Sequence, residues 1–306
     1  MNTLKQAIEN YLSYCAHQKK LSTKSVKAYA IDLEQLRQQT ASKTVPTKTE
    51  LSAFIMHLHK AFLPRTAKRK IASVRAFLNY LEFEEIILEN PMKKIKTKFQ
   101  IPQTLPRTIP LAVIESILHT VYHELKQAKT AYALNTALRN AAIIELLFAT
   151  GLRVSELCSL NTQHIDFGNG SIRIMGKGAK ERILQIGNQE VLTILSRYAE
   201  ENTAHIQKTG YFFLNRLSSR LSEQSVRFLI KRLCAKAEVG RNITPHMFRH
   251  SFATLLLEED VDIRYIQRML GHSSILTTQI YTQVTVEKQR QILTAKHPRN
   301  KITVKT

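Results

Sequence analysis

Apolar residues recur every three or four positions through the first hundred residues, and this pattern limits what the region can fold into. The spacing matches one face of an α-helix and predicts four successive helices. The apolar positions of the first two are Leu4, Ala7, Ile8, Tyr11, Leu12 and Cys15, then Val26, Tyr29, Ala30, Leu33 and Leu36. Ser22 or Thr23 is a candidate N-cap for the second helix. A capping-box pattern of Thr47 and Glu50 precedes the third, and Pro64 marks the start of the fourth.

Prolines mark the end of this helical region. Asn90-Pro91 closes it, and residues 99–110 contain three prolines with few periodic apolar positions, which is typical of an extended linker. We therefore predict a helical N-terminal domain over residues 1–98, a linker over 99–110 and a second domain over 111–306.

The second domain is expected to be mainly helical with one β-hairpin. Residues 171–175 and 181–186 alternate between apolar and polar side chains, and residues 176–180 between them are Gly-Lys-Gly-Ala-Lys. This arrangement predicts two short antiparallel strands with lysines at the tip of their turn. The fold class is thus mostly α, with a small antiparallel sheet in the second domain.

The chain carries a large excess of positive charge. It has 45 Lys and Arg against 24 Asp and Glu, a net charge of +21, and the first hundred residues hold 18 of the basic residues and 8 of the acids. Both halves are therefore basic, which favours a polyanion held from two sides. Nucleic acid is the first candidate, because each neutralised phosphate releases counterions, and a membrane surface is the second.

A basic stripe follows the fourth predicted helix, opposite its apolar face. Its members are Arg65, Lys68, Arg69 and Arg75. Two interpretations stay open, a DNA-binding face and an ordinary solvated helix face.

The cysteines and the hydropathy pattern indicate a cytoplasmic protein without a membrane anchor. Cys15, Cys158 and Cys234 are odd in number and widely spaced, which matches neither a disulfide framework nor a metal site. No signal peptide is expected at the start. The most apolar run, residues 141–150, is too short for a bilayer and contains Glu145.

Three segments of the second domain hold residues suited to cleaving a phosphodiester. Arg153 follows a glycine turn, with Glu156 three residues later. His246 and Arg249 share one face at the start of a helix that Thr244-Pro245 would open. Arginines can bind two phosphate oxygens at once, although a surface ion pair or a structural His–Arg pair is the better account of either segment taken alone.

The third segment contains His272 and Tyr281 after Gly271, a candidate helix C-cap. A lone tyrosine is most often a packing residue. Taken together, however, four segments resemble the tyrosine recombinase (phage integrase) family, most closely its Xer-like branch. They are ATGLRVSEL at 149–157, GKGAKER at 176–182, TPHMFRHSFAT at 244–254 and LGHSSILTTQIYT at 270–282. The resemblance covers nearly the whole chain and implies a SAM-like core-binding domain followed by a catalytic domain.

The resemblance implies a role for each residue that surrounds the phosphate. Arg153 and Arg249 would hold the non-bridging oxygens of the scissile phosphate, and His272 would hydrogen-bond to it. Glu156 would keep Arg153 in position. His250 would support the structure rather than the chemistry.

The resemblance also implies the groups that move protons and electrons. Tyr281 would attack the phosphate to leave a 3′-phosphotyrosine, Lys177 would protonate the leaving 5′-oxygen, and His246 would assist proton transfer with Tyr281. The covalent bond would store the phosphodiester energy, so no metal, ATP or other cofactor is expected.

Double-stranded DNA carrying a recombination site is the partner that the resemblance implies. Four protomers, identical or paired with a related recombinase, would act on two sites through a Holliday junction, with a C-terminal tail packing on a neighbouring subunit. An accessory activator, and the choice between dimer resolution and mobile-element integration or excision, stay open. Residues 119–140 look longer than in compact Xer proteins and are either an insertion or a longer helix and loop.

Two rival functions remain. A type IB topoisomerase shares the chemistry but relaxes DNA without exchanging partners, and the hairpin and HMFRH segments argue against it. A catalytically silent DNA-binding accessory protein is disfavoured because every expected catalytic position is occupied.

Overall fold

The computed structural model describes residues 3–42, 44–97, 107–175 and 181–271. The chain divides into two compact units, Met1–Gln103 and Thr104–Thr306. Each unit has its own hydrophobic core.

Within its described residues, unit 1 contains the four helices that the apolar spacing predicts. They are α1 (Leu4–His17), α2 (Thr23–Gln39), α3 (Lys48–Ala61) and α4 (Pro64–Phe83), followed by a short 3₁₀ turn (Pro91–Lys94). Ser22 caps α2, and Thr47 and Glu50 form the complete capping box of α3. Because these signals are local, the sequence predicts the helix starts correctly.

A buried polar cluster ties α2 to α4 inside this unit. The carboxylate of Asp32 is fully buried and accepts hydrogen bonds from Lys70 Nζ at 2.9 Å and Ser73 Oγ at 2.7 Å. Both Nη atoms of Arg69 also donate to it. Lys70 is itself buried beside the ring of Phe62, with Nζ 4.8 Å from the ring centroid. The cluster compensates the burial of charge with an ion pair and a full set of hydrogen bonds.

The basic stripe of α4 is exposed along its length, and two of its members are held in place. Arg69 is bound to the buried Asp32, while Arg75 donates to Thr97 Oγ1. Arg65 and Lys68 are exposed on the same helix. The stripe is therefore a surface with an anchored guanidinium at its centre.

Unit 2 is mainly helical, as expected. In chain order it contains α5 (Leu111–Lys126), α6 (Ala131–Thr150), α7 (Val154–Cys158), β1 (Ile165–Asp166), β2 (Ser171–Met175), β3 (Glu181–Gln185), α8 (Gln189–Glu201), α9 (Thr203–Thr209), α10 (Glu223–Lys236), α11 (Pro245–Glu258) and α12 (Ile263–Leu270). None of the helices in the described parts of the chain is long and apolar enough to cross a membrane.

The sheet is antiparallel with strand order β1-β2-β3. Strands β2 and β3 pair Ser171 with Gln185 and Met175 with Glu181, which confirms the predicted antiparallel arrangement. The two-residue strand β1 was not predicted, because two residues are too few to show alternation.

Helix α6 is the central element of unit 2 and leads to the candidate site. It packs against α5, α8 and α11 and is buried on almost every side over its second half. Glu145 lies in this buried stretch and accepts a 2.7 Å hydrogen bond from the Tyr122 hydroxyl. The segment 119–140 forms the end of α5, a short loop and the first half of α6.

The Asp32 cluster yields a stability prediction. Asp32→Ala leaves Lys70 buried without its carboxylate, so we expect the free energy of unfolding to fall by about 3 kcal/mol or more. Urea unfolding of the full chain measures this. Glu9→Ala, which breaks an exposed pair with Lys5 on α1, is the matched control and should change stability little. Equal effects of the two substitutions would contradict the assigned role of the cluster.

Candidate functional site

A glycine turn at the end of α6 sets the position of the first candidate residue. Gly151 adopts φ +59° as the C-cap, a conformation that favours glycine, and a Cβ here would lie 2.7 Å from Phe252 Cδ1. The chain then reverses, so that Arg153 occupies the N-cap position of α7. The Arg153 side chain is about one-third exposed, with 35% of its surface accessible.

The Glu156 carboxylate holds Arg153 by both its main chain and its side chain. Its oxygens accept hydrogen bonds from Arg153 N at 2.9 Å and Arg153 Nη1 at 2.8 Å. Arg182, on β3, donates to the same carboxylate through Nη1 at 3.0 Å and Nη2 at 2.8 Å. Burial alone would raise the pKa of Glu156, but the bonds from Arg182 and Arg153 outweigh it and hold the pKa below its ordinary value. Glu156 is therefore an ionised, buried anchor between two guanidinium groups.

Arg249 lies on α11 and is almost fully buried, where it reaches the C-terminal ends of two other helices. Its Nη1 donates to the Gly151 carbonyl at 2.8 Å, and its Nη2 donates to the Leu270 carbonyl at 2.5 Å. Carbonyls at helix C-termini carry partial negative charge and stabilise a cation. Arg249 consequently joins the end of α6 to the end of α12.

Two histidines lie one helical turn apart on α11, on the side that carries Arg249. Burial lowers the pKa of His246, and the positive charges of Arg249 and Arg153 lower it further. Burial also lowers the pKa of His250, with His246 and Arg249 contributing. Both imidazoles are therefore neutral at neutral pH, and His246 lies within the field of both arginines.

The end of α12 is the point at which these side chains meet. Besides the bond from Arg249, Arg182 Nε donates to the Met269 carbonyl at 2.8 Å, and Arg153 Nη2 lies 3.5 Å from the Gly271 carbonyl. The structure thus brings together two pairs that are distant from each other in sequence, Arg153 with Glu156 and His246 with Arg249. The next residue, His272, and also Lys177 and Tyr281 lie outside the described residues.

Arg182 is the site residue that the sequence analysis did not single out. It lies within the GKGAKER segment, in which only the lysines of the expected turn were predicted to have a function. Strand alternation places it on the same face of β3 as the buried Leu184, which is an unusual position for an arginine. This alternation is the sequence signal that could have identified Arg182 as a partly buried residue.

No metal site accompanies this cluster in the described ranges, where no group of three or more His, Cys, Asp or Glu side chains could hold an ion. The candidate DNA-binding residues Arg65, Lys68, Arg69 and Arg75 belong to unit 1 and lie on α4.

Comparison with family models assigns both units. The phage integrase family model matches residues 114–288, and the model of the phage integrase N-terminal SAM-like domain matches residues 8–85.

Known proteins with similar sequences carry the same designation. A tyrosine recombinase of Agathobacter rectalis is 50% identical over 302 residues, which make up 98% of this chain and 98% of that protein. Tyrosine recombinase XerD of Listeria monocytogenes is 34% identical over 306 residues, covering 95% of this chain and 98% of the relative.

Solved structures show the same fold. The post-cleavage complex of the XerH site-specific recombinase with a palindromic difH substrate aligns with a TM-score of 0.74 and 22% identity, over 97% of this chain and 85% of that chain.

The lowered pKa of Glu156 predicts how stability depends on pH. Glu156→Gln puts an amide between two guanidinium groups, so we expect the variant to be about 1–3 kcal/mol less stable at pH 7. A carboxylate with a depressed folded-state pKa stabilises the protein above its ordinary value of 4.5 and loses this contribution as pH falls through the folded value. The gap should therefore shrink below about pH 4.5.

Urea unfolding of the parent and the variant between pH 7 and pH 3 measures the gap. Glu201→Gln, an exposed change on α8, is the control and should show no gap at either pH. A gap of the same size at both ends of the range would contradict the ionised state of Glu156.

Proposed function

The chain belongs to the phage integrase family, and from this premise we propose the reaction that its site performs. It is a Xer-like, site-specific tyrosine recombinase, a DNA strand-transferase, as the four motifs indicated. The topoisomerase and silent accessory functions are not favoured, since the similar proteins are recombinases. The assignments of individual residues below are our proposal.

Arg153 and Arg249 hold the scissile phosphate in the proposed site. The observation that carries this assignment is their convergence from different elements on the end of α12, immediately before His272. Two fixed guanidinium groups offset the charge that spreads over the non-bridging oxygens in the transition state. His272 adds a hydrogen bond to the same phosphate.

Tyr281 is the proposed nucleophile. Its hydroxyl oxygen attacks phosphorus, the bond from phosphorus to the 5′-oxygen breaks, and that oxygen takes the electron pair. Lys177 supplies the proton that leaves a 5′-hydroxyl, and His246 accepts the proton of Tyr281. The lowered pKa of His246 supports this role, because only the neutral imidazole can accept a proton.

Rejoining follows when a 5′-hydroxyl of the partner DNA attacks the 3′-phosphotyrosine and releases Tyr281. The phosphodiester energy is conserved in the covalent bond, so the scheme requires no nucleotide or metal cofactor. Exchange of two strands yields a Holliday junction, and exchange of the other two resolves it.

In this proposal the basic stripe of α4 binds DNA phosphates outside the reaction centre. Arg65, Lys68, Arg69 and Arg75 are exposed on one helix of a chain with net charge +21, which supports DNA binding by unit 1. Such contacts position the protein on the duplex without reading its sequence.

We further propose that four protomers act on two DNA sites in the cytoplasm. They form a homotetramer or a heterotetramer with a related recombinase, and an accessory protein can activate them. Strand exchange between two sites requires two cleaved half-sites on each, which supports this stoichiometry, and three unpaired, buried cysteines suit a reducing compartment. The same chemistry serves dimer resolution and mobile-element integration or excision.

The nucleophile assignment predicts a trapped intermediate. After cleavage, a nicked substrate releases the short fragment that carries the new 5′-hydroxyl, so the strands cannot be rejoined. The parent should therefore accumulate a denaturant-resistant protein–DNA adduct through a 3′-phosphotyrosine. Tyr281→Phe removes the attacking oxygen and should form none while binding the same DNA. Tyr265→Phe, at an exposed tyrosine of α12, is the matched control. An adduct with Tyr281→Phe would contradict the assignment.

The neutral state of His246 predicts how the rate of DNA cleavage depends on pH below neutrality. If His246 accepts the proton of Tyr281, cleavage slows as pH falls through its pKa, which lies below the ordinary 6.5. Single-turnover cleavage between pH 4.5 and 8 should therefore show a midpoint below 6.5. His246→Ala should be slower and lack that inflection, and His205→Ala at an exposed position should retain it. An unchanged inflection in His246→Ala would rule out His246 as the base.

A further inference from the structure

Arg182 uses three nitrogens of its guanidinium group on two neighbouring segments. Nη1 and Nη2 bind the two oxygens of Glu156, and Nε binds the Met269 carbonyl. The bond to Glu156 is bidentate, and the bond to Met269 runs to the last turn of α12. Arg182 thereby fixes the distance between α7 and the end of α12.

The segments that Arg182 joins each lead to a residue of the proposed reaction. Glu156 holds Arg153, α12 ends two positions before His272, and β3 begins four positions after Lys177. Gly271 packs closely against Arg182, since a Cβ there would lie 3.0 Å from Nη1. The end of α12 is thus seated on this guanidinium group.

Arg182 differs from Arg153, the arginine that shares the Glu156 carboxylate with it. Its side chain is only 12% exposed, against 35% for Arg153, and both of its Nη atoms are bonded to Glu156. Arg182 also supplies donors that Glu156 needs, because Glu156 is buried and offers more acceptor sites than Arg153 fills.

We propose that Arg182 is a positioning residue for DNA cleavage, which aligns Arg153 and the end of α12 through its bonds to Glu156 and Met269. This inference rests on the proposed function and extends it to a residue outside the proposed catalytic set. Lysine cannot replace the arginine, since one ammonium group cannot form a planar two-point bond with a carboxylate and also reach the carbonyl. Loss of alignment slows the chemical step more than it weakens DNA binding.

The test compares two Arg→Lys substitutions in the same sheet. Arg182→Lys should slow single-turnover cleavage of a nicked substrate by about 10- to 100-fold, the scale expected for misplacement of reacting groups by an ångström. Its Kd for the uncleaved site should stay within about threefold of the parent. Arg173→Lys, on the exposed face of β2, is the matched control and should leave both quantities unchanged.

A double-mutant cycle with Glu156→Gln tests whether Arg182 affects the cleavage rate through Glu156. If Arg182 acts through Glu156, adding Arg182→Lys to Glu156→Gln should slow cleavage much less than it does in the parent. Cleavage by Arg182→Lys at the parent rate, equal losses in rate and affinity, or independent effects in the cycle would each overturn the inference. A parent protein that binds its site and forms no adduct would instead contradict the proposed function.

Discussion

The buried carboxylate of Glu156 is the interaction on which the candidate site depends. It accepts four hydrogen bonds from two arginines, one from α7 and one from β3. Two guanidinium groups so close together would repel each other without the anion between them. Because the carboxylate is buried and ionised, it offsets their mutual repulsion and fixes their orientation. The position of Arg153 is therefore set before any phosphate arrives, which is the preorganisation that electrostatic catalysis requires.

The ends of helices provide the second part of this preorganisation. Arg249 is buried against carbonyls at the C-termini of α6 and α12. Partial negative charge at those ends lets a cation lie in the interior without a carboxylate at either of these two contacts. Because both helices end in glycines with positive φ, Gly151 and Gly271, their last carbonyls turn toward the arginines. The turns that end these two helices therefore also provide the carbonyls that hold Arg249 in the proposed phosphate site.

Three acids of this basic chain follow a common pattern. Asp32 binds Arg69 and Lys70 in unit 1, and Glu156 binds Arg153 and Arg182 in unit 2. Glu124 on α5 likewise pairs with Arg232 and Lys236 of α10. Each carboxylate faces two cations and joins separate elements, so a few anions orient many positive groups. The buried charges are thus paired, and the net positive charge of the protein can still attract a polyanion.

Local patterns were enough to predict the helical class, the capped starts of α2 and α3, the antiparallel strand pair and the family, because capping, periodicity and contiguous motifs act over a few residues. They also pointed to Arg153 with Glu156 and to His246 with Arg249, which are pairs three residues apart on one turn. Arg182 could not be found in this way, because its partners lie 26 and 87 positions away. The anchoring of Arg69 by Asp32, across 37 positions, was hidden for the same reason. Ion pairs and carbonyl contacts between distant segments depend on how helices and strands pack, and the packing alone brings those charges within bonding distance.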